Sequence, residues 1–171
     1  MTTSIVFTFI GADKPGLIEK LTRIVAEHQG NWLESRMSQL AGQFAGITRI
    51  QIANTKANGL RLALSQLSGN DLTVVVQDGA DPQSPEAVRQ LSLSLIGNDR
   101  PGILRELSSA LAARNINVVE MNTQLTSAPM TAEPLFEASA QIAAPENQDL
   151  EELSERLDEI ANDLSVDITL D

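Results

Sequence analysis

An internal repeat constrains this chain more than any other feature: shifted by 86 residues, residues 7–40 align with residues 93–126 without a gap. Several matched residues are Gly, Pro or Asn, which fix backbone geometry and would not be preserved together by unrelated amphipathic segments. The repeat therefore predicts two copies of one small domain in tandem. The identical pairs are Ile10/Ile96, Gly11/Gly97, Asp13/Asp99, Pro15/Pro101, Gly16/Gly102, Leu21/Leu107, Ala26/Ala112, Asn31/Asn117 and Glu34/Glu120.

Each copy begins with a short strand and an amphipathic helix. The strands are predicted over residues 5–10 and 91–96, where β-branched, aromatic and Leu residues dominate. In the helices that follow, apolar residues recur at i, i+1, i+4, i+7 and i+8, which places them on one face. Pro15 and Pro101 suit the first helical turns, and Asp13 and Asp99 can cap these helices or complement their dipoles. The predicted helix ends are Gly30 and Asn115.

Two further strands, a helix and a final strand complete each copy. Apolar residues alternate with a period of two over residues 44–52 and 136–144, which is typical of strands. The other predicted strands are 32–37, 72–76, 118–124 and 166–170, and the second helices are 60–67, after a break at Asn58 and Gly59, and 149–163. The order is βαββαβ in each copy, which predicts an α+β fold of two ferredoxin-like domains.

Composition places the boundary between the copies. Residues 77–89 carry two prolines among Asp, Gly and Ser, which is typical of a linker. We therefore predict a first domain over residues 1–78, a linker over residues 79–89 and a second domain over residues 90–171.

Cysteine content and charge exclude several classes of function. The chain has no Cys and one His, so we predict no metal site and no cofactor. Twelve Lys and Arg against 23 Asp and Glu give a net charge of −11, so we expect no direct binding to nucleic acid. No apolar stretch approaches the roughly 20 residues that span a bilayer, and the N-terminus lacks a signal-peptide pattern. We expect a cytoplasmic protein that does not bind membranes.

No set of residues points to catalysis. An enzyme needs a nucleophile with a base, paired carboxylates in a pocket or a metal, and the sequence marks out none of these. His28 lies near the predicted end of the first helix and aligns with Arg114, where a polar or cationic group complements the helix dipole. We predict that the protein is not an enzyme.

Two surface features bear on protein partners. We interpret Trp32 as sharing a strand face with Glu34 and Arg36, opposite Leu33 and Met37, where it covers a sheet edge or anchors a partner. Edge strands can pair between copies, which is a route to a homodimer.

The repeated turn between the first strand and helix is the candidate ligand site. It directs helix N–H groups at the space before it, which suits the carboxylate of an amino acid, while Asp13 or Asp99 can receive the ammonium group. The alternative is that Gly, Asp and Pro serve only a tight turn. Asn31 and Asn117 open the second strand beside this turn, where an amide binds a polar ligand or caps the helix before it.

The strings GADKPGL and GNDRPGI, each followed by an apolar helix and then by GNWLE or INVVE, resemble ACT domains over most of the chain. The resemblance implies regulatory βαββαβ modules that bind amino acids or similar small molecules, often where domains pack side by side. A tandem pair is similar to the glycine cleavage system transcriptional repressor family, which implies action through a protein partner and not on DNA.

The same resemblance implies the ligand-binding residues. Serine-sensing ACT domains have His and Asn where this chain has Gly11 or Gly97 and Asp13 or Asp99. The resemblance therefore does not identify which amino acid binds. We predict a regulatory protein that senses a small amino acid, with glycine as the first candidate, and affects transcription through a protein partner. The alternative is an ACT-like interaction module for assembly that binds no ligand. The implied binding residues are Gly11, Asp13, Gly16, Asn31, Gly97, Asn98, Asp99, Gly102 and Asn117.

Overall fold

The computed structural model describes residues 1–80, 88–128 and 132–171. The chain forms two compact units, Met1–Gln83 and Ser84–Asp171. Each unit has the order βαββαβ, so the predicted fold is confirmed. The first unit contains β1 (Thr2–Ala12), α1 (Leu17–Glu27), β2 (Asn31–Leu40), β3 (Gln43–Ala53), α2 (Asn54–Ser65) and β4 (Leu72–Asp78). The second contains β5 (Val88–Asn98), α3 (Ile103–Ala112), β6 (Asn117–Ser127), β7 (Pro134–Pro145), α4 (Leu150–Leu164) and β8 (Val166–Leu170).

Each unit is built on a four-stranded antiparallel sheet. The strand orders are β2-β3-β1-β4 and β6-β7-β5-β8. Alternate strand residues pack with the two helices of their unit into one core, which in the first unit includes Phe7, Leu21, Ile50 and Leu60. The helices therefore cover one face of each sheet. We call the other face, which carries no helix of its own unit, the open face.

The first helix of each unit begins later than the sequence predicts. α1 starts at Leu17, after Gly16, so Pro15 precedes the helix and is not in its first turn. The Gly16 carbonyl accepts a hydrogen bond from the Lys20 N–H at 3.0 Å, and this bond closes the first turn of α1. Neither α1 nor α3 receives a side-chain capping bond within the described part of the chain, so Asp13 and Asp99 do not cap these helices. The alternative, that their carboxylates complement the helix dipoles, stays a prediction.

The same two helices end in one repeated arrangement. Gln29 and Asn115 have left-handed φ angles of 59° and 55°, and the following residue donates its N–H back into the helix. Gly30 donates to the Val25 carbonyl at 2.9 Å. An added Cβ on Gly30 would lie 3.0 Å from side-chain atoms of Ile50 and Val25, so this glycine provides room and not a left-handed turn.

A β-bulge at the start of β2 changes the face on which Trp32 lies. Trp32 pairs with Ile50 and Glu34 pairs with Arg49, so Leu33 is the extra residue. Trp32 therefore lies on the helix side and packs on the core, whereas Leu33 is 43% exposed. The predicted face that Trp32 shares with Glu34 and Arg36 is wrong, because strict alternation does not hold across a bulge.

α2 runs through the predicted break at Asn58 and Gly59. The buried residues Ala57, Leu60 and Leu64 hold this helix on the sheet. Tertiary packing therefore outweighs the low helix propensity of an exposed Asn-Gly pair.

The predicted linker, residues 79–89, differs from the structure at its end. Val88 and Arg89 belong to β5, where they pair with Pro145 and Ala144. Residues 81–87 of this linker lie outside the described residues, and the predicted domain boundaries stay a prediction.

Candidate functional site

The turn of the first unit leaves β1 beside the start of β4. Gly11 pairs with Phe44 on one side and Leu72 on the other. An added Cβ on Gly11 would lie 2.7 Å from the Asp71 carbonyl oxygen. Gly11 is therefore required for the close approach of two strands, whatever the turn binds.

The second unit repeats this approach. Gly97 pairs with Phe136 and Val166, and an added Cβ would overlap the Val166 side chain. Asn98, the last residue of β5, pairs with Leu135. A structural need thus accounts for Gly97 as it does for Gly11.

Gly16 and Gly102 end the two turns in the left-handed region, with φ angles of 92° and 101°. A Cβ built on either glycine meets no described atom within 4 Å. Backbone conformation, and not crowding, therefore favours glycine at these two positions. Among the described residues, the Cβ positions of both glycines therefore face open space.

Asp13 and Asp99 are held through their backbone N–H groups, and neither carboxylate is bonded to another described residue. The Asp13 N–H donates to the Gly42 carbonyl at 3.0 Å, and the Asp99 N–H donates to the Pro134 carbonyl at 3.1 Å. Both residues are exposed. Each carboxylate is therefore accessible to a ligand at its turn.

Asn31 and Asn117 lie at the other end of their sheets, away from the turns. Asn31 pairs with Gln51, and Gln51 pairs with Ser4, which is seven residues before Gly11 on β1. At about 3.3 Å per residue the separation is roughly 23 Å. Asn117 is related to Gly97 in the same way through Ala143 and Gln90. The expectation that these amides lie beside the turn of their own unit is wrong, because the helix between turn and strand returns the chain to the opposite end.

A depression of about 330 Å³ lies beside the turn of the first unit. Its charged lining residues were not among the predicted site residues. Lys14 nevertheless lies in the repeated turn, and Lys20 and Arg23 lie one helical turn apart on α1. The Lys14 ammonium is 3.5 Å from the Asp71 carboxylate, and both side chains are largely exposed. Three cations and two acids line this depression, which suits a small zwitterion or anion; they are Lys14, Lys20, Arg23, Glu19 and Asp71.

The second unit has a depression of about 570 Å³ beside its turn, with a different lining. It lies between the end of β5 and the junction of α4 with β8, and it includes Gly97, Asn98 and Asp167. The Arg100 guanidinium donates to the Asp163 carbonyl at 2.8 Å. Arg100, the equivalent of Lys14, is thus engaged with the end of α4.

The described residues offer neither a metal site nor a membrane-spanning helix. Across residues 1–80, 88–128 and 132–171, no group of three or more His, Asp or Glu is arranged to hold a metal ion. In these same three segments, every helix is too short or too polar to cross a membrane.

Both units match the same protein family. The ACT domain family matches residues 3–77 and again residues 86–167. The chain belongs to the ACT domain family. It consists of two ACT domains in tandem, as the repeated turn and the repeated element order indicate.

Two solved structures match the tandem ACT pair over its whole length. An unknown protein from Galdieria sulphuraria is 26% identical with a TM-score of 0.84, and the match covers 100% of this chain and 98% of that chain. A structure described as a "putative glycine cleavage system transcriptional repressor" is 18% identical with a TM-score of 0.73, and the match covers 100% and 97%. The second likeness shows a shared fold. A search of curated proteins found no match.

The two ACT domains differ in charge. The unit Met1–Gln83 has seven Lys and Arg and seven Asp and Glu, whereas the unit Ser84–Asp171 has five and 16. The first ACT domain is therefore neutral, and the second carries the whole net charge of −11. On the helix that follows the turn, Lys20 and Arg23 of the first domain correspond to Glu106 and Ser109 of the second. An anionic group is favoured at the first turn.

Proposed function

We propose that this tandem ACT protein is a regulator that senses a small amino acid and affects transcription through a protein partner. The observation that carries the proposal is the open turn before α1, with Lys14, Lys20 and Arg23 lining the depression beside it. Both ACT domains and the fold shared with the structure described as a glycine cleavage repressor support this role. The printed description of that structure makes glycine the first amino acid to test.

In this proposal the ligand carboxylate lies at the N-terminus of α1. The positive end of the helix dipole and the ammonium groups of Lys14 and Lys20 favour an anion there. The carboxylates of Asp13 and Asp71 are the candidates to receive the ligand ammonium. Asn31 does not contact a ligand held at the turn of its own domain, since it lies at the far end of the sheet.

The first ACT domain is proposed as the higher-affinity site. The first turn of its helix α1 has Lys20 where α3 of the second domain has Glu106, and a ligand carboxylate is repelled by Glu106. The second turn, with Gly97, Asn98, Asp99 and Gly102, stays a proposed weaker site.

Isothermal titration calorimetry of the full chain against glycine, and then against other small amino acids, tests this function. We expect saturable binding to one of them. Lys20→Ala should weaken that binding about tenfold, whereas Glu106→Ala, at the equivalent position of the second domain, should not weaken it. Equal effects of the two variants would contradict the assignment to the first turn.

A second candidate function is assembly without a ligand. The repeated glycines favour this function, because the fold requires them without any bound molecule. Gly11 and Gly97 allow the close approach of two strands, and Gly16 and Gly102 adopt left-handed φ angles. Absence of heat with every small amino acid would favour this function and direct the search to a protein partner.

We propose regulation by binding and not catalysis or direct DNA binding. The net charge of −11 opposes contact with a polyanion. A gel-shift experiment at low salt, where electrostatic binding is strongest, should show no shift of DNA by the protein alone.

A further inference from the structure

A groove of about 440 Å³ lies on the open face of the second ACT domain. Its lining residues come from all four strands, β5 to β8, and its volume suits a small organic molecule. Two acids line it, Glu137 and Asp167, and among the described residues no Lys or Arg does. The groove therefore attracts a cation and repels an anion. We call it the acidic groove.

Sheet register gives the acidic groove two similar ends. Ile96 of the inner strand β5 pairs with Glu137 of β7 on one side and with Asp167 of β8 on the other. Two residues after each acid, on the same face of its strand, lies a hydroxyl group, that of Ser139 or Thr169. Each end of the groove therefore offers one carboxylate and one hydroxyl group.

The middle of the acidic groove is apolar. The Ile96 side chain lies between the two acids and is 40% exposed. Neighbouring strands are about 4.8 Å apart, so the two strands that carry the acids are about 10 Å apart. A ligand that occupies both ends therefore needs two positive groups joined by a short apolar chain.

Both carboxylates are able to bind such a ligand. The Gln124 amide and the Thr126 hydroxyl donate to the two oxygens of Glu137 at 2.7 Å and 2.9 Å, which fixes this carboxylate and lowers its pKa. Each of its oxygens retains a second lone pair for a ligand donor. Asp167 is exposed and makes no hydrogen bond or ion pair with another described residue.

The first ACT domain shows that the fold does not require these acids. Register places Ala45 and Thr73 at the positions of Glu137 and Asp167, on either side of Ile10. The cores of both domains, in contrast, are apolar. Two carboxylates on one sheet face repel each other, and a bound cation offsets this repulsion. The acids therefore indicate a ligand that only the second domain binds.

We propose that the acidic groove binds an aliphatic diamine in its doubly protonated form, with one ammonium group at Glu137 and the other at Asp167. An ammonium group has three N–H donors, and the carboxylate and hydroxyl at each end accept them. The methylene groups between the two nitrogens cover Ile96. The proposal does not rest on the amino-acid site proposed above, because a diamine has no carboxylate to place at the turn of the first domain.

Calorimetric titration of the full chain with putrescine, and separately with cadaverine, tests this proposal. Physiological ionic strength screens the non-specific attraction of a cation to an acidic protein. We expect saturable binding at one site. Butylamine has the four carbons of putrescine and only one amino group, so it should bind at least about tenfold more weakly.

Single substitutions locate the site. Asp167→Asn should weaken putrescine binding about tenfold, because it removes the charge at one end of the groove. Asp158→Asn removes the same charge from the exposed face of α4, outside the groove, and should leave binding unchanged. Lys20→Ala should also leave putrescine binding unchanged, which separates this site from the amino-acid site.

A double variant covers both ends of the groove. Glu137→Ala with Asp167→Thr introduces the residues that the first domain carries at these positions, so the fold tolerates them. It should abolish the preference for putrescine over butylamine, and circular dichroism establishes that each variant is folded.

Three outcomes overturn the proposal. The first is the absence of saturable heat with either diamine. The second is binding of butylamine as tight as that of putrescine. The third is an equal loss of affinity in Asp158→Asn and Asp167→Asn, which would show attraction to the net charge and not to the groove.

Discussion

The Trp32 indole meets the Phe7 ring edge-on, with ring centroids 5.9 Å apart and planes at 85°. The bulge at Leu33 brings this contact about, because it turns Trp32 toward the helices. Trp32 is the one tryptophan of the chain, so its fluorescence reports on the core of the first ACT domain alone.

Leu21→Ala and Leu107→Ala should therefore separate the two domains in a fluorescence experiment. Both residues are fully buried and occupy equivalent helix positions. Each substitution should lower the free energy of unfolding of its own domain by about 2–5 kcal/mol. Denaturant unfolding followed by Trp32 should shift with Leu21→Ala and not with Leu107→Ala, whereas circular dichroism should respond to both. Equal shifts of the Trp32 transition would show that the two domains unfold as one unit.

Gly16→Ala and Gly59→Ala should have opposite effects on stability. Gly16 has a φ of 92°, so an Ala there is strained and should lower the free energy of unfolding by about 1–2 kcal/mol. Gly59 lies inside α2, where an added Cβ would meet His28 at an ordinary contact of 3.4 Å. Gly59→Ala should raise the free energy of unfolding by about 0.5–1 kcal/mol. Thermal unfolding measures both, and a destabilising Gly59→Ala would contradict the helical assignment at the Asn-Gly pair.

Glu137 should make the stability of the second ACT domain depend on pH. Hydrogen bonds from Gln124 and then Thr126, at 2.7 Å and 2.9 Å, lower the pKa of this carboxyl below its ordinary value and outweigh the effect of burial. Its contribution is present above the unfolded-state pKa and is lost as the pH falls through the lower folded-state pKa.

The comparison of Glu137→Gln with the unmodified protein isolates this carboxyl from the other acids. The difference in urea midpoint, followed by circular dichroism, should be largest near neutral pH and should shrink on acidification. A difference that is constant with pH would rule out a lowered pKa at Glu137.

Asp13→Ala and Asn31→Ala should differ in their effect on amino-acid binding. Asp13 lies in the turn, whereas Asn31 lies at the opposite end of the sheet. In calorimetry with glycine, or with whichever small amino acid binds, Asp13→Ala should weaken binding about tenfold. Asn31→Ala should leave it unchanged, and equal losses would show that the two residues contact one ligand.

The domain repeat and the order of the elements followed from the sequence because both depend on local patterns. The pairs Gly16/Gly102 and Pro15/Pro101 mark the same turn twice, and helical and strand periodicities are visible within short windows. The candidate turns were found for the same reason, since a turn is contiguous in sequence.

Contacts between distant segments determined the features that local sequence patterns did not predict. A bulge opposite β3 placed Trp32 on the helix side, packing of Ala57, Leu60 and Leu64 carried α2 through its Asn-Gly pair, and sheet register separated Asn31 from the turn. Local patterns specify which elements form, whereas faces, register and neighbours depend on which strands pair, and strand pairing is a property of the folded domain.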